Sequence, residues 1–133
     1  HAEELIARLG LNIKLYVPKQ TSAHRDAVMG IPQIDNPLHQ EFTEQVKLEP
    51  FRRAMEEHKP DVWFTNLRKG QTAHRDSLDV LSLSKDGVLK VSPFYHWSDT
   101  QLDAYLKARQ LPNEHKYFDP TKVLANRECG LHT

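Results

Sequence analysis

The sequence predicts an α/β fold, a parallel sheet with flanking helices, and three observations carry that reading. Helical periodicity over residues 1–9 gives way at Gly10 to an alternating stretch, Asn12–Val17. A second helical region, Glu41–Lys59, separates that stretch from a nearly continuous apolar run, Asp61–Leu67. Strand, long crossover with a helix, strand is the grammar of a βαβ unit, whose two strands lie parallel in one sheet.

Each element follows from local chemistry. Leu5, Ile6 and Leu9 share one face of the first helix, and Gly10 suits the left-handed residue that ends it. No capping residue precedes His1, so the chain is expected to open inside an element, with part of the native polypeptide upstream. In Asn12–Val17, Ile13, Leu15 and Val17 alternate with Asn12, Lys14 and Tyr16, and Pro18 closes the predicted strand. Residues 19–40 carry Gly30, Pro32, Asn36 and Pro37, which suits a loop with one short helix near Ala23–Met29. Phe51, Ala54, Met55 and His58 mark the next helix, and Pro50 places its regular start near Glu49. His58 reads as a core histidine and Arg52 and Arg53 as solvent-facing partners of Glu56 and Glu57. After Pro60, Asp61–Leu67 reads as a strand buried on both faces, with Trp63 and Phe64 in the core. Asp79–Ser84 and Val88–Phe94 flank Lys85-Asp86-Gly87, a hairpin turn. Ser98-Asp99-Thr100-Gln101 is a capping box for a helix bearing Leu102, Tyr105 and Leu106. Residues 1–112 thus form the expected α/β domain, and Asn113–Thr133, without periodicity, a tail expected to move.

Composition removes several functions. A chain of 133 residues with zero net charge makes one domain with no sequence-wide field for nucleic acid or anionic membrane. Its single cysteine rules out an internal disulfide and any cysteine-pair metal site, and the histidines lack ligand spacing, so no metal is expected. With no long apolar run and no signal peptide, the default is a reduced, soluble, cytoplasmic chain. The identical tetrapeptides Ala23–Asp26 and Ala73–Asp76 have unrelated surroundings and read at most as two helix starts.

Two stretches carry chemistry. Arg68-Lys69-Gly70-Gln71-Thr72-Ala73-His74-Arg75-Asp76 follows the apolar strand, and ligands of open α/β sheets gather at the carboxyl ends of strands. Its cations suit a phosphate or sulfate, and a solvated basic turn is the alternative. The tail places Cys129 between Arg127 and His132, cationic neighbours that favour a reactive thiolate, while Glu128 opposes them. The residues alone leave nucleophile and incidental thiol both open.

Three blocks together resemble the family of 3′-phosphoadenylylsulfate (PAPS) and adenylylsulfate (APS) reductases. Arg127-Glu128-Cys129-Gly130-Leu131-His132 resembles the catalytic signature of that family. Lys47-Leu48-Glu49-Pro50-Phe51-Arg52-Arg53-Ala54-Met55 is similar to its lysine-led helix, and Trp63–Thr72, continuing to Arg75, to its arginine turn. Val91-Ser92-Pro93 with Trp97 fits downstream, and His115, Phe118 and Asp119 match loosely before the tail. The resemblance implies a Rossmann-like, adenine nucleotide alpha hydrolase-like sheet with a catalytic tail. It implies Cys129 as the nucleophile that takes the sulfo group, with His132 assisting it. Lys47, Arg68, Lys69, Arg75 and Arg127 would bind substrate phosphate and sulfate groups, and reduced thioredoxin or glutaredoxin would release sulfite. The assembly could be a homodimer.

Departures from the family pattern refine this expectation. Phe42 and Thr43 stand where the APS-reducing branch carries a cysteine pair, so the resemblance implies no iron–sulfur cluster and a PAPS-reducing enzyme. Asn66 replaces the usual glycine before Leu67-Arg68. The family's Ser-Gly-Gly-x-Asp-Ser phosphate loop does not occur in the chain, which therefore resembles the C-terminal portion of such an enzyme. The alternatives are a related sulfur-transfer or nucleotide-activating enzyme, or a noncatalytic nucleotide- or partner-binding module.

Overall fold

A computed structural model describes residues 2–113 and 118–122. The chain divides into two compact units, residues 1–58 with 116–133, and residues 59–115.

The first unit is helical. Helix α1, Ala2–Leu9, ends as expected at Gly10, whose φ of 62° lets the Leu11 amide bond back to the Ile6 carbonyl at 3.3 Å. Helix α2, Ser22–Val28, is capped by Thr21, whose hydroxyl accepts from the His24 amide. Helices α3, Leu38–Thr43, and α4, Glu49–His58, flank a π-helical turn, Glu44–Leu48, in which the Glu49 amide bonds to the Glu44 carbonyl. Regular helix does restart at Glu49, but Pro50 lies inside a longer helical run and not in a first turn. The proline has no N–H to offer the Val46 carbonyl and crowds it, and a wider turn just upstream relieves both problems. Phe42 packs at the centre of this unit, beside buried His39 and Thr43.

The expected strand Asn12–Val17 is not one: no sheet forms there, and Leu15 and Val17 are 76% and 69% exposed. Alternation makes a strand only when a partner takes its backbone groups, and none is present among the described residues. Side chains hold the segment instead. The Tyr16 hydroxyl is 2.8 Å from His58 Nε2, and the Arg53 guanidinium donates to the Val17 carbonyl. His58 is therefore an exposed hydrogen-bonding group and no core residue. Arg52 pairs with Glu44, and Arg53 with Glu49 at 2.9 Å, both upstream of the partners expected from sequence.

The second unit carries a mixed sheet with the order β1-β3-β2. Strand β1, Val62–Phe64, runs parallel to β3, Leu89–Val91, which pairs antiparallel with β2, Leu81–Leu83. The parallel pairing of the sheet is thus β1 with β3, not β1 with Asn12–Val17. The β2–β3 hairpin turns through Gly87, φ 81°, at the expected Asp-Gly pair. Register aligns Val62, Leu89 and Leu83 in one row and Phe64, Val91 and Leu81 in the next, on one face of the sheet. That face is open, with Phe64 69% exposed, so β1 is not buried on both sides. A strand needs a packed layer on each face for that, and the described residues supply none here. Helix α5, Ala73–Asp76, follows the basic loop, and α6, Asp99–Ala108, begins at the expected capping box. The repeated Ala-His-Arg-Asp tetrapeptides do lie in two threonine-capped helix starts.

Candidate functional site

The basic loop beyond β1 is ordered from its own residues. The β1–β3 ladder continues past Phe64, with the Thr65 amide bonding the Val91 carbonyl at 2.8 Å and the Lys69 amide the Tyr95 carbonyl at 2.8 Å. Beneath it the Thr65 and Ser92 hydroxyls, both buried, lie 2.7 Å apart, and Leu67 and Tyr95 fill the core. The chain then turns at Gly70, φ 84°, where the Gly70 amide donates to Asp76 Oδ1 at 2.6 Å. Thr72 caps α5 by accepting from the Arg75 amide.

Gln71 ties this loop together. Its Oε1 accepts from the Arg68 amide at 2.9 Å and from Arg75 Nη1 at 2.6 Å. Arg68 and Arg75 are both buried, which disposes of the solvated-turn alternative for these two, whereas Lys69 and His74 are exposed. Tyr95 supports the turn from below: its hydroxyl lies 2.8 Å from the Arg75 and Leu78 carbonyl oxygens and donates to one at a time. Burial, with the charges of Asp76 and Asp79, pushes that hydroxyl above its ordinary pKa and keeps it a donor.

Arg68 is the more available cation of the pair. Its Nη1 meets Asp99 Oδ1 at 2.5 Å, but the Asp99 side chain is 87% exposed, and Arg68 Nε is buried without a hydrogen-bond partner among the described residues. A guanidinium whose acceptor is a solvated carboxylate can exchange it for an incoming oxyanion, and Nε adds a second donor in the fork that such anions accept.

Lys47 belongs to the first unit. It stands in the π-helical turn and is half-buried, and its ammonium is paired with Asp119. Burial pushes the Asp119 carboxyl up, but the Lys47 bond, the Thr121 hydroxyl and amide bonds and the lysine charge outweigh it, so it lies below its ordinary value. Arg127, Cys129 and His132, with His115, lie outside the described residues.

Sequence reasoning named the cations and missed what holds them. Gln71 was legible in principle, because it stands three residues after Arg68 and four before Arg75, within reach of both in a tight turn. In the sequence Asp99 stands out only as part of a capping box. Asp119 lies 72 residues from Lys47, a separation at which a sequence pattern carries no contact information.

Residues 1–119 match the family model described as the phosphoadenosine phosphosulfate reductase domain. A phosphoadenosine 5′-phosphosulfate reductase of Xylella fastidiosa is 36% identical over 120 residues, covering 84% of this chain and 47% of that protein. The protein of the same name from Vibrio cholerae is 36% identical over 158 residues, covering 98% of this chain and 60% of its own length. The chain spans about half the length of the curated relatives it matches. Among solved structures, the phosphate complex of phosphoadenylyl-sulfate reductase from Candida auris superimposes with a TM-score of 0.65 at 23% identity, over 84% of this chain and 53% of that one. That likeness agrees with the expected α/β fold, a small mixed sheet with flanking helices.

Proposed function

The chain belongs to the phosphoadenosine phosphosulfate reductase family, and from that membership we propose that the protein of which it forms part or all reduces PAPS in sulfate assimilation. The observation that carries the reading furthest is the loop beyond β1, where Arg68 and Arg75 are buried, Gln71 bonds the Arg68 backbone amide and the Arg75 guanidinium, and Tyr95 holds the Arg75 backbone carbonyl. Fixed cations suit a substrate whose charge sits on sulfo and phosphate oxygens, because no reorganisation is needed as the leaving phosphate gains charge. In this reading Lys47, Arg68, Lys69, Arg75 and Arg127 bind those oxygens.

Cys129 is the nucleophile. Its thiolate attacks the sulfur of the sulfo group, a sulfur–sulfur bond forms, and the sulfur–oxygen bond to phosphate breaks. The electron pair leaves with adenosine 3′,5′-bisphosphate, and an S-sulfocysteine remains. A dithiol protein such as reduced thioredoxin or glutaredoxin then supplies two electrons, leaving as its disulfide while sulfite departs and the Cys129 thiol is restored. His132 stabilises the thiolate or the same anion. In this reading the electrons come from that external dithiol, in a reducing cytoplasm.

The test is to incubate the reduced full-length protein with PAPS and measure its intact mass. A sulfo adduct that maps to Cys129 and is discharged by thioredoxin supports the reading. Nucleotide binding without adduct removes it in favour of a binding module.

A further inference from the structure

His39 stands in the first turn of α3, is 3% exposed, and carries no signal in the sequence. Its ring lies between two backbone carbonyl oxygens: Nδ1 is 2.9 Å from that of Pro32 and Nε2 is 3.1 Å from that of Thr121. A carbonyl oxygen has no hydrogen to give, so a ring nitrogen that carries hydrogen donates to the carbonyl it faces. The two carbonyls belong to stretches far apart in the chain. Pro32 is in the loop before α3, and Thr121 stands eight residues before Cys129.

The same short segment is held a second time. Lys47 pairs with Asp119, whose Oδ1 accepts from the Thr121 amide at 3.0 Å and from the Thr121 hydroxyl at 2.6 Å. Thr121 is 1% exposed, so the segment enters the core of the first unit at this residue. The two anchors differ in permanence. Lys47 is a residue that the proposed function assigns to substrate anions, and an anion that takes its ammonium withdraws it from Asp119. His39 meets only backbone acceptors in these two bonds, and no substrate competes for them.

We propose that His39 is a positioning residue: through Thr121 it fixes the start of the segment that leads to Cys129 while Lys47 changes partners. The catalytic consequence rests on Cys129 being the nucleophile, whereas the anchoring itself does not. His39 touches no reacting atom.

The experiment uses the full-length protein with its histidines labelled with nitrogen-15. The His39 ring is expected to carry hydrogen on Nε2, the nitrogen that faces the Thr121 carbonyl; a ring with hydrogen on Nδ1 alone overturns the proposal, and this measurement needs no variant. In His39→Phe, which fills the volume without donors, the backbone amides of residues 118–122 should exchange hydrogen roughly tenfold faster than in the parent, the effect of losing one buried hydrogen bond. The rate at which iodoacetamide alkylates Cys129 should change with it. Unchanged exchange and alkylation overturn the anchoring whatever the activity. If the parent takes no sulfo group from PAPS and His39→Phe still loosens 118–122, the reductase reading falls and the anchor stands.

Discussion

Two of the described regions present candidate site cations, and they are built in opposite ways. Around Arg68 and Arg75 the partners described above are local, running from Gln71 to Asp99. Around Lys47 the partner is Asp119, 72 residues away, on a segment held by His39 as well. The first region is preorganised by a turn, a capped helix start and a buried tyrosine. The second is conditional: its lysine has its present geometry only while 118–122 is docked. A locally built site costs little chain entropy to form, whereas a long-range one transmits the state of distant residues.

The largest expected effect tests whether the two regions are independent. Phe42 is fully buried, between the Arg25 guanidinium, 5.6 Å from its ring centre, and the His39 ring. Phe42→Ala should lose about 3–5 kcal/mol of stability, as truncation of a buried aromatic does. Urea denaturation gives the size and peptide-resolved hydrogen exchange the place. Residues 22–58 and 118–122 should loosen while 62–76 keep their protection. Equal loosening of 62–76 would break the comparison.

Next in size is the local device. Gln71→Ala removes the one oxygen that accepts from both the Arg68 amide and Arg75 Nη1. A cost of about 1–3 kcal/mol is expected for the donors left behind. Exchange should rise in 68–76 and stay unchanged in 118–122, the mirror image of the Phe42 result.

The same division governs what was legible in the sequence. Capping at Ser98, the Asp-Gly turn and the glycine stop at Gly10 came through because each is decided within a few residues. Asn12–Val17 and Val62–Phe64 carry equally good strand patterns, yet only the second is a strand. Pattern sets which side chains share a face, and pairing needs a partner that the pattern does not name. Cations at the end of β1 could be named from residue type, while their burial depends on Tyr95 and Leu67, contributed by packing. His39 was illegible because its acceptors are backbone carbonyls, which every residue has.

A smaller effect appears with pH at the conditional site. The Asp119 carboxyl lies below its ordinary value of 3.8, because the Lys47 and Thr121 bonds outweigh the upward push of burial. A depressed carboxyl contributes stability that is complete above the ordinary value and is lost as pH falls through the lower, folded one. Exchange protection at 118–122 should therefore hold from neutral pH down to about 3.8 and decline below it. In Asp119→Asn that acid-dependent step should be missing, and protection at 68–76 should not share it. A step of equal size in the variant would show that another group is responsible.

The smallest effect concerns Glu49, which is paired with Arg53 and, at 3.3 Å, with Lys19. The Arg53 hydrogen bond comes first among the causes that take its carboxyl from 4.5 to about 2, against some desolvation. The shift alone would suggest a strong interaction, but the pair is only partly buried, so solvent, salt and counterions screen it. Its stability contribution is present above 4.5 and lost as pH falls toward 2, the same sign as for Asp119. Glu49→Gln should therefore lower the urea midpoint slightly at neutral pH in dilute buffer. The difference from the parent should shrink between pH 4.5 and 2, and should also shrink when salt is added at neutral pH. For the Asp119 pair, whose carboxylate is the more enclosed of the two, the acid step should survive added salt. A Glu49 difference that also survives salt would mean that Arg53, bonded to both Glu49 and the Val17 carbonyl, holds residues 12–17 on α4 through a shielded contact. The division between solvent-screened and docked ion pairs would then have to be redrawn inside the first unit.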